Sequence, residues 1–190
     1  MSPVPIVAVV LAGGLSRRMG SDKAWLAAPG TQVPLVLHQL ALLRKLKPAA
    51  LFVSARAGQA LPALPEDVRR LDDDGTAGPL GGIQRSLQAA GSRHLLVVAV
   101  DLPQLDEGCL RRLLTACTGT RGAVAGTLNG LEPLVAIFPP ALKVHVDQAC
   151  ATGRLGLRAL LVRPEVAKLV TAVEFADTAR FTNWNHPTPP

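Results

Sequence analysis

Short apolar runs rich in β-branched residues alternate along the chain with longer segments whose apolar residues recur every three or four positions. The short runs are typical of buried strands, and the longer segments are typical of amphipathic helices. The predicted strands are 6–11, 49–54, 68–71, 94–100 and 122–127. The predicted helices are 35–47, 80–90 and 107–117. Strand–helix alternation predicts an α/β fold, in which a mostly parallel sheet lies between two layers of helices.

The second half of the chain is less regular. The apolar run 131–138 predicts a further strand, with an antiparallel direction as one option, and helices are expected near 141–151 and 155–161. A late strand over 167–175 precedes a proline-rich terminus, whose last residues, 186–190, are expected to be frayed. No linker divides the chain, and its 190 residues fit a single domain with a substantial core.

The composition excludes several classes of protein. Apolar residues make up 48% of the chain and charged residues only 18%, which argues against disorder. No apolar run reaches membrane-spanning length without Gly, Pro or charge, and no basic segment precedes the first apolar run. We therefore expect a cytoplasmic protein with no membrane partner.

The three cysteines, Cys109, Cys117 and Cys150, form no Cys-x-x-Cys pair. Cys109 and Cys117 are eight residues apart on a predicted helix, so a zinc pair is one interpretation. No histidine lies near either of them, and the four histidines of the chain are scattered. Buried free thiols in a reducing compartment are the interpretation that the pattern favours.

The formal net charge is +6, from fifteen arginines and five lysines against 14 acidic residues. A basic surface attracts anions, which include both nucleic acids and small phosphorylated molecules. The arginines are dispersed, and the chain has no Tyr, four Phe and two Trp, so a platform for stacking bases is hard to build. The charge therefore favours small anionic substrates over nucleic acid.

Two adjacent glycines, Gly13 and Gly14, follow the first predicted strand, and three cations, Arg17, Arg18 and Lys23, follow the glycines. Glycine lets the backbone turn sharply and approach a ligand closely. Loop amides together with cations form a cradle for a polyphosphate, so the chain is predicted to handle a nucleotide. The alternative is an ordinary turn after a strand, with solvated arginines.

The spacing of this loop excludes two better-known phosphate loops. A Walker loop needs Gly-Lys-Ser/Thr, and a dinucleotide loop needs glycines at its first, third and sixth positions. Neither pattern is present in residues 11–23. Lys23 is a candidate for neutralising phosphate oxygens as a point charge, and Arg18 is a candidate for clamping phosphate with two parallel bonds.

At this point the chain resembles a known family. Residues 11–23 carry Leu-Ala-Gly-Gly-x-Ser-x-Arg-Met-Gly-x-Asp-Lys, which is similar to the signature loop of molybdenum cofactor guanylyltransferases. Cytidylyltransferase relatives usually have Ala-Ala-Gly where this chain has Ala-Gly-Gly. The resemblance continues, in the order typical of the family, at 78–83, 101–103, 132–134 and 181–185, and so spans nearly the whole chain.

The resemblance implies a Rossmann-like, three-layer α/β/α nucleotidyltransferase fold. It implies transfer of GMP from GTP to molybdopterin, with or without molybdenum, which yields molybdopterin guanine dinucleotide and pyrophosphate. Mg²⁺ is the implied cofactor, and transient contact with other cofactor-biosynthesis proteins or apo-molybdoenzymes is implied as well. Two alternatives are a related transferase that uses CTP or a sugar-phosphate acceptor, and a non-catalytic nucleotide-binding protein that delivers cofactor.

The resemblance also implies roles for individual residues. The residues that would bind the nucleotide are Leu11, Ala12, Gly13, Gly14, Lys23, Ser54, Asp72, Gly78, Gly82 and Asp101. The catalytic residues would be Lys23, Arg18 and Asp101, with Asp101 also binding the metal. Arg154, Asn183 and Asn185 would lie on the pterin side.

Simpler interpretations accompany several of these assignments. Asp101 could cap the next helix, and 78–82 could be only a helix start. The aspartates at 72–74 could form a solvated turn, and Asp72 is chosen because it is closest to the strand end, with the register open by one. Asn183 and Asn185 could satisfy backbone groups in a turn. Arg154, grouped with a second arginine four residues on, could belong to a solvated stripe.

The chain departs from the pattern of the family at a few positions. Ser54 stands where related guanylyltransferases often have asparagine, which puts base recognition in doubt. Val100 stands where a cysteine often precedes the aspartate. Trp184 and His186 are further departures, close to the paired asparagines.

Overall fold

Seven strands form one mixed sheet in the computed structural model, which describes residues 4–13, 22–73 and 75–184. The strands are β1 (Ile6–Leu11), β2 (Leu51–Arg56), β3 (Val68–Asp73), β4 (His94–Ala99), β5 (Gly122–Thr127), β6 (Gly130–Phe138) and β7 (Val170–Glu174). Their order across the sheet is β3-β2-β1-β4-β6-β5-β7. Of these seven strands, only β6 runs antiparallel to its neighbours, β4 and β5.

Helices cover both faces of this sheet. They are α1 (Leu35–Arg44), α2 (Pro79–Ala90), α3 (Glu107–Ala116), α4 (Lys143–Ala151), α5 (Leu157–Leu161) and α6 (Pro164–Ala167). The apolar residues of α1 and α3 pack in one buried cluster, and those of α2, α4, α5 and α6 pack in a second cluster. The predicted α/β fold with a mostly parallel sheet is thus confirmed.

The interior strand β1 shows why buried strands appear in the sequence as continuous apolar runs. All six of its residues are buried. Ala8 and Val10 belong to the cluster that contains α1, whereas Val7 and Val9 belong to the cluster that contains α2. Successive side chains of a strand point to opposite faces, so a strand covered on both faces needs apolar residues at every position.

Several element ends differ from the sequence predictions. β3 continues to Asp73, because it pairs with β2 as far as the Arg56–Asp73 partners. α1 ends at Arg44, and Lys47 has a φ of +51°. The late strand is shorter than predicted, since residues 164–167 form α6. The antiparallel option for 131–138 is confirmed by β6.

The described helices are also short. The longest of them, α2, has 12 residues. Within the described ranges, no helix has the length and apolar character that crossing a bilayer would require.

Candidate functional site

A cavity of about 210 Å³ lies where the carboxyl ends of β1, β2, β3 and β4 meet. Open α/β sheets bind their ligands at this edge. Of the residues assigned to the nucleotide from sequence, the cavity is lined by Leu11, Ala12, Gly13, Lys23, Ser54, Gly78, Gly82 and Asp101. The fold thus brings together motifs that lie up to 90 residues apart in the chain.

An ion pair between Lys23 and Asp101 lies at the cavity. The Lys23 ammonium donates to Asp101 Oδ2 at 2.6 Å, and the two side chains are 23% and 15% exposed. Lys23 begins a single 3₁₀ turn whose N-cap is Asp22, and Asp22 Oδ1 accepts from the backbone N–H of Ala24 at 3.0 Å. The cavity therefore holds a cation and a carboxylate in direct contact.

The loop that carries Asp101 is held by the buried face of α1. The Gln39 side-chain amide donates to the Leu102 carbonyl oxygen at 2.7 Å, and Gln39 is fully buried. His38 Nε2 lies 3.2 Å from the Pro103 carbonyl oxygen. Because both contacts reach backbone atoms next to Asp101, they fix its position at the end of β4.

Asp101 does not cap the helix that follows it. α3 begins at Glu107, and its N-cap is Asp106, whose carboxylate accepts from the Cys109 backbone N–H at 2.8 Å. The capping interpretation of Asp101 is therefore wrong, and its carboxylate is left to the cavity and to Lys23.

The carboxylate that β3 contributes to the cavity is Asp73 and not Asp72. Asp73 is 7% exposed and accepts from the Ser54 hydroxyl at 3.1 Å. Asp72 has a side chain that is 53% exposed and pairs with Arg70 at 2.7 Å. Since β3 continues through both residues, neighbouring side chains point to opposite faces and only one can reach the cavity. The choice of Asp72 is thus corrected by one residue.

Glycines shape the wall that α2 contributes. Gly78 is the N-cap of α2 with a φ of +54°, a conformation that L side chains rarely adopt, and Pro79 follows at the first helical position. A Cβ on Gly82 would lie 2.5 Å from Ser54 Oγ and 3.2 Å from Leu11 Cδ2. The glycine at 82 therefore keeps the cavity open. The predicted helix start at this motif is real, and it forms part of the cavity as well.

The C-terminal segment reaches the Asp101 loop. The ring of Phe181 packs edge-on against Phe175, with centroids 5.4 Å apart, and this contact ties the segment to the core. Further along, the backbone N–H of Trp184 donates to the Asp101 carbonyl oxygen at 2.7 Å. Asn183 is exposed beside this contact.

The two arginines that sequence analysis grouped together do not share a helix. Arg158 lies in α5, where its guanidinium is 3.2 Å from the Glu132 carboxylate of β6. Arg154 lies in the turn between α4 and α5, and it is exposed. Arg158 thus lies on the surface near the start of β6, a strand that contributes Leu134 to the cavity.

Some predicted site residues fall outside the described ranges. They are Gly14, Arg17, Arg18, Asn185 and His186. The phosphate contacts expected of Gly14 and Arg18, and the pterin-side role expected of Asn185, therefore stay predictions.

Two buried glutamines contact the segments that form the cavity, and the sequence analysis singled out neither. Gln39 holds the Asp101 loop, and Gln59 Nε2 donates to the Ala12 carbonyl oxygen at 3.0 Å. For Gln39 the sequence holds a signal, since it is a polar residue inside the apolar stripe of a predicted helix. For Gln59 the sequence holds none, because the partner is 47 residues away.

The buried cysteines are free thiols. Burial raises the pKa of Cys109 and of Cys117 to about 12, so both thiols are protonated at neutral pH. Among the residues that the structure describes, no three or more His, Cys, Asp or Glu side chains are grouped so as to hold a metal ion. The zinc-pair interpretation therefore has no support within those ranges.

Comparison with known proteins identifies the family of the chain. Residues 8–168 match the family model of the MobA-like NTP transferase domain. A protein of Mycobacterium tuberculosis named as a probable molybdenum cofactor guanylyltransferase is 37% identical over 186 residues. The match covers 96% of this chain and 90% of that protein.

Solved structures share the fold. A nucleotidyl transferase from Methanothermobacter superposes with a TM-score of 0.71 at 19% identity, over 97% of this chain and 93% of the other. A second M. tuberculosis protein, solved as a complex with manganese, superposes with a TM-score of 0.63 at 18% identity, over 91% and 89%. At these identities the likeness concerns the fold alone.

Proposed function

Because the chain belongs to the MobA-like NTP transferase family, we propose that it transfers GMP from GTP to molybdopterin, with or without molybdenum, and releases pyrophosphate. The observation that carries the proposal is the Lys23–Asp101 pair in the cavity at the strand ends. A metal-bound triphosphate presents both signs of charge, and this pair offers a partner to each. The ammonium would move to phosphate oxygens, and the carboxylate to the metal.

We assign Mg²⁺ to Asp101, and the donor set at the cavity fits that ion. Mg²⁺ usually takes one or two protein carboxylates and completes its shell with phosphate oxygens and water. Asp101 and Asp73 both line the cavity, and three-ligand clusters are lacking among the described residues. The manganese complex of a protein with this fold agrees with a divalent ion. When bound, the ion would neutralise charge on the triphosphate.

The residues of this chain would act by positioning and by charge. An oxygen of the acceptor's terminal phosphate attacks the α-phosphorus of GTP, and the bond from that phosphorus to the bridging oxygen of pyrophosphate breaks. A phosphate is already a competent nucleophile, so no strong protein base is needed. Lys23 would neutralise charge that develops on the leaving pyrophosphate, and the backbone at Gly13 allows close approach of the phosphates.

The acceptor would approach from the side of the C-terminal segment. Asn183 is exposed next to Trp184, whose backbone N–H holds the Asp101 carbonyl, so an acceptor bound there lies close to the proposed metal carboxylate. The family resemblance supports Arg154 and Asn185 as further contacts for the pterin. The pairing of Arg158 with Glu132 neutralises that guanidinium and leaves Arg154 as the better partner for a pterin phosphate.

The test of this function is the Asp101→Asn variant. We expect it to fold normally and to lose about 100-fold in turnover, since a metal ligand contributes roughly 3 kcal/mol to such a transition state. The measurement is pyrophosphate release from purified protein with magnesium, GTP and molybdopterin. Replacing GTP by CTP, ATP or UTP in the same assay identifies the donor.

The matched control is Asp72→Asn, because Asp72 is an exposed carboxylate whose side chain does not line the cavity. We expect it to keep wild-type turnover. A near-normal rate for Asp101→Asn at saturating magnesium would overturn the metal assignment. Turnover with CTP but not with GTP would overturn the guanylyl donor.

A further inference from the structure

We propose that Gln59 is a positioning residue of the nucleotide site, which sets the relative position of Gly13 and Lys23 without itself contacting the substrate. The inference deepens the proposed nucleotidyl transfer and rests on it. It starts from one side-chain amide that donates to residues on either side of the phosphate-binding segment, Ala12 and Asp22.

The two contacts of Gln59 Nε2 lie directly beside the residues that line the cavity. One hydrogen bond reaches the Ala12 carbonyl oxygen at 3.0 Å, immediately before Gly13. The other reaches Asp22 Oδ2 at 2.6 Å, immediately before Lys23. Because an amide nitrogen carries two hydrogens, one side chain serves both contacts at once.

The orientation of Gln59 is itself fixed by the turn that follows β2. Its Oε1 accepts from the Arg56 backbone N–H at 2.9 Å, and its own backbone N–H donates to the Arg56 carbonyl at 3.0 Å. The Arg70 guanidinium donates to the Gln59 carbonyl oxygen at 2.7 Å. Gln59 is 8% exposed, so the residue itself is largely shielded from water. The amide is therefore rigid relative to the sheet.

The contact with Asp22 carries this rigidity to Lys23. Asp22 Oδ1 caps the turn that begins at Lys23, through the Ala24 N–H at 3.0 Å, while Oδ2 accepts from Gln59. Both oxygens of the Asp22 carboxylate thus accept hydrogen bonds, one from the turn that begins at Lys23 and one from Gln59. Without Gln59, the contact of Oδ2 that remains among the described residues is an Arg56 guanidinium at 3.7 Å. That distance is too long for a hydrogen bond that sets direction.

The site requires an amide and not merely a polar side chain of this size. Both partners of Nε2 are acceptors, a carbonyl and a carboxylate. Glutamate at position 59 would have the same shape but would place an oxygen against both of them. Within the described ranges, the charged groups at this point are Asp22, Arg56 and Arg70, so a second carboxylate there would face Asp22 directly.

The experiment is a double-mutant cycle of Gln59→Glu with Asp22→Asn. In the double variant, the new amide at position 22 can donate to the new carboxylate at position 59 while its oxygen still caps Ala24, so the contact is restored with its partners exchanged. The readouts are kcat and KM for magnesium GTP, measured by pyrophosphate release, and the affinity for magnesium GTP alone, measured by calorimetry. Thermal midpoints of every variant show that the assays report folded protein.

We expect Gln59→Glu to lower kcat/KM at least about tenfold, equivalent to about 1.4 kcal/mol. We expect the double variant to recover at least about threefold of that loss, with incomplete recovery because the Ala12 contact stays unmade. The control is Gln88→Glu, an exposed glutamine on α2, which should keep wild-type values.

A purely structural role of Gln59 predicts a different pattern. The thermal midpoint would then fall, while kcat/KM of the folded protein stays within about twofold of wild type. That result would overturn the proposal. A double variant no better than the product of the two single effects would overturn it as well.

The same experiment separates this inference from the proposed function. If the wild type binds magnesium GTP but releases no pyrophosphate, the proposed transfer fails, and Gln59 is judged on the affinities of the variants. If the wild type transfers GMP and the variants match it, only the role of Gln59 fails. If the wild type binds no nucleoside triphosphate, both fail.

Discussion

Ser54 and Gly82 set the depth of the cavity through a single contact distance. The Ser54 hydroxyl donates to Asp73 and is therefore fixed in direction. A Cβ on Gly82 would lie 2.5 Å from that hydroxyl oxygen. A buried side chain cannot move away without breaking its own hydrogen bond, so the empty space at Gly82 depends on the absence of one carbon atom.

We expect Gly82→Ala to raise KM for magnesium GTP at least about tenfold, equivalent to about 1.4 kcal/mol of binding free energy. The added methyl group would displace the side chains of Ser54 and Leu11, which line the cavity. Ser54→Ala in the same chain removes the hydroxyl, and the contacts that remain for the added methyl group are Leu11 Cδ2 at 3.2 Å and the Cβ of residue 54 at 3.4 Å. We expect the double variant to bind better than Gly82→Ala alone. Steady-state kinetics across GTP concentrations provides the measurement.

The matched control lies one residue earlier in the same helix. A Cβ on Gly81 would meet the Ala77 Cβ at 3.2 Å, and Gly81 does not line the cavity. Gly81→Ala should leave KM unchanged, within about twofold. An unchanged KM for Gly82→Ala would show that the nucleotide does not approach this wall.

The strand that supplies Asp73 shows where prediction from sequence reaches its limit. β1 is predicted with its observed ends, because a strand buried on both faces is marked by an unbroken apolar run. β3 is an edge strand with polar residues, and two of its aspartates lie beyond the predicted end. Pairing with β2 carries it on to Asp73, and that pairing cannot be read from local residue preferences. The carboxylate of the cavity was therefore misplaced by one.

Contacts between elements explain what the sequence could not locate. The motifs at 11–23, 78–83 and 101–103 could be assigned because they resemble those of a known family, and each also lies at the end of a predicted strand or the start of a predicted helix. Gln59 follows a strand without any motif, and its role depends on partners that the fold brings to it. The family motifs and the element order together sufficed for the residues that line the cavity, and the three-dimensional packing was needed for the residues that hold the cavity in place.

Gln39 connects α1 to the end of β4, and removing its amide tests that connection. In Gln39→Leu, the Leu102 carbonyl loses its only side-chain donor among the described residues, in a buried setting. An unsatisfied buried acceptor costs about 1–3 kcal/mol. We expect the free energy of unfolding to fall by that amount, measured by urea titration. We also expect kcat to fall, because the loop that Gln39 holds carries Asp101.

Gln148→Leu on the exposed face of α4 is the comparison for this variant. A surface substitution of this kind changes stability by less than about 0.5 kcal/mol. If Gln39→Leu were equally harmless in stability and in kcat, α1 would not be what fixes the Asp101 loop.

The cavity and the buried histidine His94 lie at opposite edges of the sheet. The cavity lies at the carboxyl ends of the strands, whereas His94 begins β4 at the amino edge. His94 is 3% exposed, and its Nε2 has no hydrogen-bond partner within the described ranges. Burial lowers the pKa of His94 below its ordinary value of 6.5. Protonation there would place a charge in a buried position, so this residue links the stability of the fold to pH.

The direction of this pH effect depends on whether the folded or the unfolded chain binds the proton at the higher pH. The unfolded chain takes up a proton on this histidine near pH 6.5, and the folded chain does so only at lower pH. The free energy of unfolding should therefore be level above pH 6.5 and should fall as the pH drops below it. The carboxylates with lowered pKa, Asp67, Asp147 and Asp177, titrate below 3.8 and do not contribute in this window.

His94→Gln removes the titrating group while keeping a polar side chain of similar length. We expect wild-type protein to lose stability between about pH 7.5 and about pH 5, and the stability of the variant to change less over the same range. Urea titrations at both ends of this range and near pH 6 measure both. The neighbouring thiol of Cys117 leaves the interpretation intact, because burial raises its pKa to about 12. His145→Gln, at a less buried histidine on α4, should follow the wild type. If the stability difference between wild type and His94→Gln were the same at every pH tested, the buried imidazole would not be the source of the acid sensitivity.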